Sequence, residues 1–187
     1  MPRKKDPNQR EHLLEACLAA FLRAGTLDLS LDKLARSAKT SKRMLVHYFG
    51  SREALEEMAM SRLEDGLRSQ FRAGAFPPAT TLHLVVRTLW EQITAPRARG
   101  LLQVTMDLTR RSWTGSERGR RFFAEQQRLW AEMLSDFFPH QEDVGALLLL
   151  FQGAALVYLA TGDASRGWRA LERFVQLETR STADKAP

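Results

Sequence analysis

Between Ser41 and Tyr48 the sequence gathers, within eight residues, side chains suited to reading the edge of another polymer. Arg43 carries a planar guanidinium that can bond guanine at two atoms, and Lys42 can reach guanine or a phosphate oxygen. Met44 offers an apolar contact, and His47 a hydrogen bond or a charge. Helical spacing sets Lys42, Arg43, Met44 and His47 on one side of a short helix, with Leu45, Tyr48 and Phe49 on the other. The Tyr48 ring is expected in the core with only its hydroxyl outward. Ser41 caps the helix start, whose amide end points outward. A helix with cationic residues near its N-terminal end suits a DNA major groove.

Such a helix must be held from behind. Ser30 is a good N-cap for a short helix over residues 31–38, with Asp32 in its first turn. Lys39-Thr40 make a tight turn into the Ser41 helix. Leu34, Ala35 and Ala38 then face Leu45, Tyr48 and Phe49, and Ala35 is small enough for a close crossing. A preceding helix over residues 8–24 carries Leu14, Cys17, Leu18 and Phe21 on one face, and Gly25 closes it. Residues 1–52 are therefore expected to form a three-helix, helix-turn-helix DNA-binding domain.

Charge agrees with that placement. The 187 residues carry a net charge of +6, from 28 Lys and Arg against 22 Asp and Glu. Residues 1–52 hold 11 of the cations and 5 of the anions, so the whole excess lies in that segment. A basic end on a neutral body fits a nucleic-acid partner, although a solvated basic face without a partner has the same composition. Arg3, Lys4 and Lys5 read either as an arm for the minor groove or as a solubilising tail.

The run Ser30-Leu31-Asp32-Lys33-Leu34-Ala35-Arg36-Ser37-Ala38, followed by Ser41 to Leu55, closely resembles the N-terminal domain of tetracycline-repressor (TetR) family regulators. Its most specific parts are His47-Tyr48-Phe49 and Ser51-Arg52-Glu53-Ala54-Leu55, and the likeness covers roughly residues 8–58. It implies a homodimer whose three N-terminal helices bind a palindromic operator in double-stranded DNA. A C-terminal bundle would bind a small-molecule effector that releases the DNA. Carried over, it brings Thr40, Lys42, Arg43 and Met44 to the bases. His47, Tyr48 and Arg52 go to the phosphate backbone, and Ser30 to a phosphate at its helix start. Two positions depart from the family pattern. Lys39 stands where glycine is usual, and a positive φ there costs a side chain about 1 kcal/mol. Val46 replaces a tyrosine that supports a phosphate contact, so the backbone contacts are expected to be redistributed.

Residues 53–187 read as a helical ligand-binding and dimerisation domain, making an all-α chain of about nine helices. Expected helices run from Ser51 to about Arg72, then over about 80–94, 99–111, 116–138, 142–161 and 164–179. Gly74 and Pro77-Pro78 mark the boundary after the first of these, and Pro96 and Pro139 end two others. Leu82, Val85, Val86, Leu89 and Ile93 point inward. Aromatic and apolar residues with a few polar anchors suggest a pocket of Trp90, Gln103, Met106, Asp107, Trp113, Phe123, Gln126 and Trp130. The same residues would also serve as plain core, and Asp107 as a partner for Arg110 or Arg111.

A two-fold reader of half-sites about 34 Å apart needs a symmetric interface. Leu150, Gly153, Ala154 and Val157, with Trp168, Leu171, Phe174 and Val175, are the expected components of a four-helix dimer seam; sealing a monomer core is the alternative. The apolar stretch from Val144 to Thr161 sits at the short limit for a membrane span and reads better as a buried bundle helix. The lone Cys17 excludes an intrachain disulfide and suits a cytoplasmic location, and no signal peptide is visible.

Catalysis finds no support. The histidines His12, His47, His83 and His140 lack metal spacing, and no phosphate loop, dinucleotide fingerprint or nucleophile elbow occurs. No enzyme activity, cofactor or metal is expected. The leading expectation is a repressor released by a ligand. The alternatives are a DNA-binding regulator without an effector, controlled by a protein partner or by abundance, and a helical enzyme or binding protein that has lost DNA function.

Overall fold

The computed structural model describes residues 6–69, 80–113, 117–135, 137–138 and 141–183. Nine α-helices occur among them: α1 (Pro7–Ala24), α2 (Leu31–Ser37), α3 (Lys42–Phe49), α4 (Arg52–Ser69), α5 (Leu82–Thr94), α6 (Arg99–Trp113), α7 (Glu117–Ser135), α8 (Gln141–Thr161) and α9 (Ala164–Ala183). The all-α expectation is met. The basic residues 3–5, the expected end near Arg72, the boundary at Gly74 and Pro77-Pro78, and Ser116 and Pro139 lie outside the described residues.

Three helix ends differ from the sequence pattern. A 3-10 turn over Pro96–Ala98 leads into α6, which runs two residues further, to Trp113. Helix α7 stops at Ser135, short of the expected Phe138. There the amides of Phe137 and Phe138 donate to the carbonyls of Leu134 and Ser135, a tightening that turns the chain before Pro139. Helix α9 continues past Thr179 to Ala183.

Two hydrophobic cores result. In the first, Leu14, Cys17 and Phe21 of α1 meet Leu34 and Ala35 of α2, Leu45 and Phe49 of α3, and Leu55, Ala59 and Met60 of α4. Val104 of α6 and Phe122 of α7 close it. The second joins Val85, Val86 and Trp90 of α5 to Leu102 of α6, Leu134 of α7, Leu147 and Ala154 of α8, and Leu171 and Val175 of α9. Helix α6 thus feeds both cores. Its start lies directly on α1: a Cβ at Gly100 would stand 2.0 Å from the Leu22 carbonyl oxygen, a distance only glycine permits.

Helix α8 is buried on one side only within the single chain. Asp143–Thr161 has a mean hydropathy of 1.9 and is long and apolar enough to cross a membrane, yet only 22% of it is buried. Leu147, Ala154 and Ala155 face inward, whereas Leu149 is 72% and Leu156 56% exposed. An apolar periphery all round left the sequence without a way to choose the inner side.

Candidate nucleic-acid interface

Local chemistry builds the α2–α3 unit. The Ser30 hydroxyl accepts from the Lys33 amide at 3.3 Å, and the Ser41 hydroxyl from the Met44 amide at 3.2 Å, so each helix start has a side-chain cap. Between them Lys39 adopts φ +50°, the left-handed conformation expected there, while the Thr40 amide donates to the Ala35 carbonyl at 2.9 Å. Gly50, at φ +83°, closes α3 with its amide on the Val46 carbonyl at 2.8 Å. Leu45 and Phe49 plug α3 into the first core, and the Arg10 guanidinium lies 5.8 Å from the centre of the Phe49 ring.

The opposite side of α3 is open. Lys42, Arg43, Met44, Val46 and His47 are all exposed, and Tyr48 is half-buried with its ring edge-on to His47 at 5.2 Å. Lys42 lies 3.6 Å from Asp32, an exposed pair worth little in water. Arg43 makes no hydrogen bond or ion pair among the described residues. Ser30 is exposed and Thr40 half-buried on the same α2–α3 unit.

Arg52 is placed differently from the other expected contacts. Its guanidinium donates to the Leu27 carbonyl at 2.8 Å and lies 2.9 Å from Glu56 Oε1. That approach is too oblique for a hydrogen bond, so the buried oxygen is satisfied by charge alone. Arg111 of α6 completes the group, donating to Glu56 at 2.8 Å and to Asp28 at 2.7 Å. Burial pushes the Glu56 carboxyl above its ordinary value despite Arg111 and Arg52. Arg52 therefore braces the loop between α1 and α2, a role that its place in the motif gave no sign of.

Further along, α4 to α8 line a cavity of about 530 Å³ that opens to solvent beside Trp113, Leu149 and Leu156. Met106, Trp113, Phe123, Gln126 and Trp130 line it, with Trp113 exposed at its edge. Trp90, Gln103 and Asp107 do not. The Trp90 indole is buried in the second core and donates to the Ala164 carbonyl at 3.2 Å. Gln103 lies against Gly25, where a Cβ would come 2.3 Å from its Oε1. Asp107 takes the Thr26 hydroxyl at 3.0 Å and the Leu27 amide at 2.9 Å, and pairs with Arg110 at 2.7 Å. Glu64 also lines the cavity, unforeseen: Glu64 and Arg68, four residues apart, look like a surface pair in sequence, yet both are buried.

Residues 13–57 match the family model described as bacterial regulatory proteins, tetR family. The chain carries a tetR-family regulator domain. Solved structures match its fold along most of its length. A TetR-family transcriptional regulator from Rhodococcus sp. is 18% identical with a TM-score of 0.73, covering 91% of this chain and 98% of that one. A transcriptional regulator from Saccharomonospora viridis in complex with choline is 16% identical with a TM-score of 0.73, covering 91% and 97%. The multidrug binding protein EbrR complexed with imidazole is 18% identical with a TM-score of 0.70, covering 93% of each chain. At such identities the shared property is the fold. No curated protein matches the chain.

Outside the TetR-family domain, the expected dimer residues divide in two. Ala154, Leu171 and Val175 are buried inside the single chain, where α8 and α9 pack together. Gly153 and Val157 are exposed, and Leu150, Trp168 and Phe174 are half-buried beside the second core. The open apolar surface of α8 instead centres on Leu149, Gly153, Leu156 and Val157, with Leu177 exposed on α9. Among the described residues no group of His, Cys, Asp and Glu could hold a metal ion.

Proposed function

We propose that the protein is a homodimeric, cytoplasmic transcriptional repressor that binds a palindromic operator in double-stranded DNA and is released by a small molecule. The observation that carries this reading is the mounting of α3: Leu45 and Phe49 are fixed in a core while Lys42, Arg43 and Met44 stand in solvent. A helix held this way keeps its exposed side in one orientation, which groove recognition requires. Arg43, Lys42, Thr40 and Met44 read bases in this proposal, and Ser30, Ser41, His47 and Tyr48 approach phosphates. Arg52 supports the unit by holding the Leu27 carbonyl. Residues 1–52 form the DNA-binding domain and 53–187 the ligand-binding and dimerisation domain.

Ligand release is supported by α6, which contributes both to the cavity and to the base of the DNA-binding unit. Thr105, Met106 and Thr109 line the cavity, while Asp107, Arg110 and Arg111 of the same helix hold Thr26, Leu27, Asp28 and Glu56. A ligand that displaces α6 would pull on the loop that leads into α2. The cavity also favours this reading over a regulator with no effector, and choline and imidazole are named in two structures of the same fold. The exposed apolar surface of α8 is the proposed two-fold seam.

Gel-shift titration of the purified protein on DNA from around its own gene tests the function. The proposal expects one palindromic site bound well above random DNA, with affinity falling steeply as salt rises. Equal affinity for random DNA would overturn it.

A further inference from the structure

We infer that the cavity selects a hydrophobic organic monocation, held by the Glu64 carboxylate. The inference rests on the reading of this cavity as an effector site and adds the chemistry of the occupant. Glu64 lies in the cavity wall and is only 9% exposed. Its Oε2 accepts from the Trp130 indole at 2.8 Å, whereas Oε1 takes no hydrogen bond among the described residues. Its nearest cation, Arg68, stands 3.9 Å away and is committed elsewhere, with one nitrogen 2.5 Å from Asp65 and another 2.5 Å from Gln126. Two carboxylates, Glu64 and Asp65, thus share one guanidinium. Asp65 is exposed and takes the closer pairing, so the uncompensated negative charge falls on the buried Glu64.

Among the described residues, the other charged group in the cavity wall is Arg110. It is half-exposed and already paired with Asp107 and Asp28, so it does not neutralise Glu64. A buried, undercompensated carboxylate is stabilised by an arriving cation and destabilised by an anion. Burial also raises the Glu64 carboxyl above its ordinary value, even with Trp130 and Arg68 opposing the rise. Around it the walls are apolar and aromatic, with Phe123 and Trp130 among them. Aromatic faces attract cations, and the volume lies within the range of about 300–1,000 Å³ usual for drug-sized ligands. A small hydrated metal ion would leave such walls unused.

Three probes of similar size separate charge from hydrophobicity: tetraphenylphosphonium, neutral triphenylphosphine oxide and tetraphenylborate. Calorimetric titration of the full-length protein at neutral pH is expected to show tetraphenylphosphonium binding at least about tenfold more tightly than the neutral compound, and tetraphenylborate not at all. E64Q is expected to remove the cation preference while leaving the neutral probe unchanged, and tetraphenylphosphonium should weaken as falling pH protonates Glu64. The comparison among probes on the unaltered protein needs no variant to fold. Tight binding of the neutral probe or of tetraphenylborate, with no preference for the cation, would overturn the inference and leave the effector site standing. If none of the three binds, both fall.

Discussion

The backbone amide of Leu27 donates to Asp107 Oδ2 at 2.9 Å, although eighty positions of sequence separate the two residues. The same oxygen takes the Thr26 hydroxyl, and the other holds Arg110. One carboxylate of α6 therefore fixes the loop that ends at the Ser30 cap of α2. Replacing it with alanine leaves the Leu27 amide unpaired in a partly buried setting, and should cost about 1–3 kcal/mol. Denaturant melts of Asp107→Ala against the parent protein check this.

That tie should also weaken in acid. Burial alone would raise the Asp107 carboxyl, but hydrogen bonds from Arg110, Leu27 and Thr26 and the charge of Arg111 outweigh it, so its pKa is lowered. A carboxylate lowered on folding adds stability above its unfolded value, near about 3.9, and loses it as pH falls through the folded value. The stability gap between the parent and Asp107→Asn should be full at pH 6 and shrink progressively below about pH 4. Melts across that range test the sign.

The mounting of α3 depends on Leu45, which is 1% exposed. Leu45→Ala should destabilise the protein by about 2–5 kcal/mol and lower DNA affinity with it. Val46→Ala, on the exposed side, should stay within about 0.5 kcal/mol. Equal effects from the two would contradict the orientation described.

Cys17 is fully buried, and burial pushes its thiol up to about 11. Little thiolate exists at pH 8, and none of it is accessible. A maleimide should leave the native protein unlabelled at pH 8 and label it completely in denaturant, as read by mass spectrometry.

Leu149 and Leu156 border the cavity, yet each is more than half exposed in the single chain, so neither carries much of its core. Glutamate at both positions should convert a dimer to a monomer in sedimentation while changing the melting point of the monomer little. A parent protein that already sediments as a monomer would remove the proposed seam.

What was legible in sequence was local. Ser30, Ser41 and Gly25 announce helix ends, and Lys39 stands where the turn demands a positive φ, because these depend on neighbours a few residues away. Gln103 could not be placed, and for Asp107 only the pairing with Arg110 was legible, since the rest of their surroundings comes from the loop after α1. Ala154, Leu171 and Val175 carry the right chemistry for an interface. Which face of an all-apolar helix turns inward, however, is settled only when α9 packs. Glu64 and Arg68 show the same limit, as an i,i+4 charge pair is a surface signal until a bundle closes over it.

Selection of bound sequences from a randomised duplex pool tests the central claim most directly, using the full-length protein and Arg43→Ala. The account predicts two inverted half-sites for the parent. It predicts loss of preference at one position per half-site for the variant, worth about 1–3 kcal/mol. No enriched sequence for the parent, or an unchanged motif for Arg43→Ala, would contradict it.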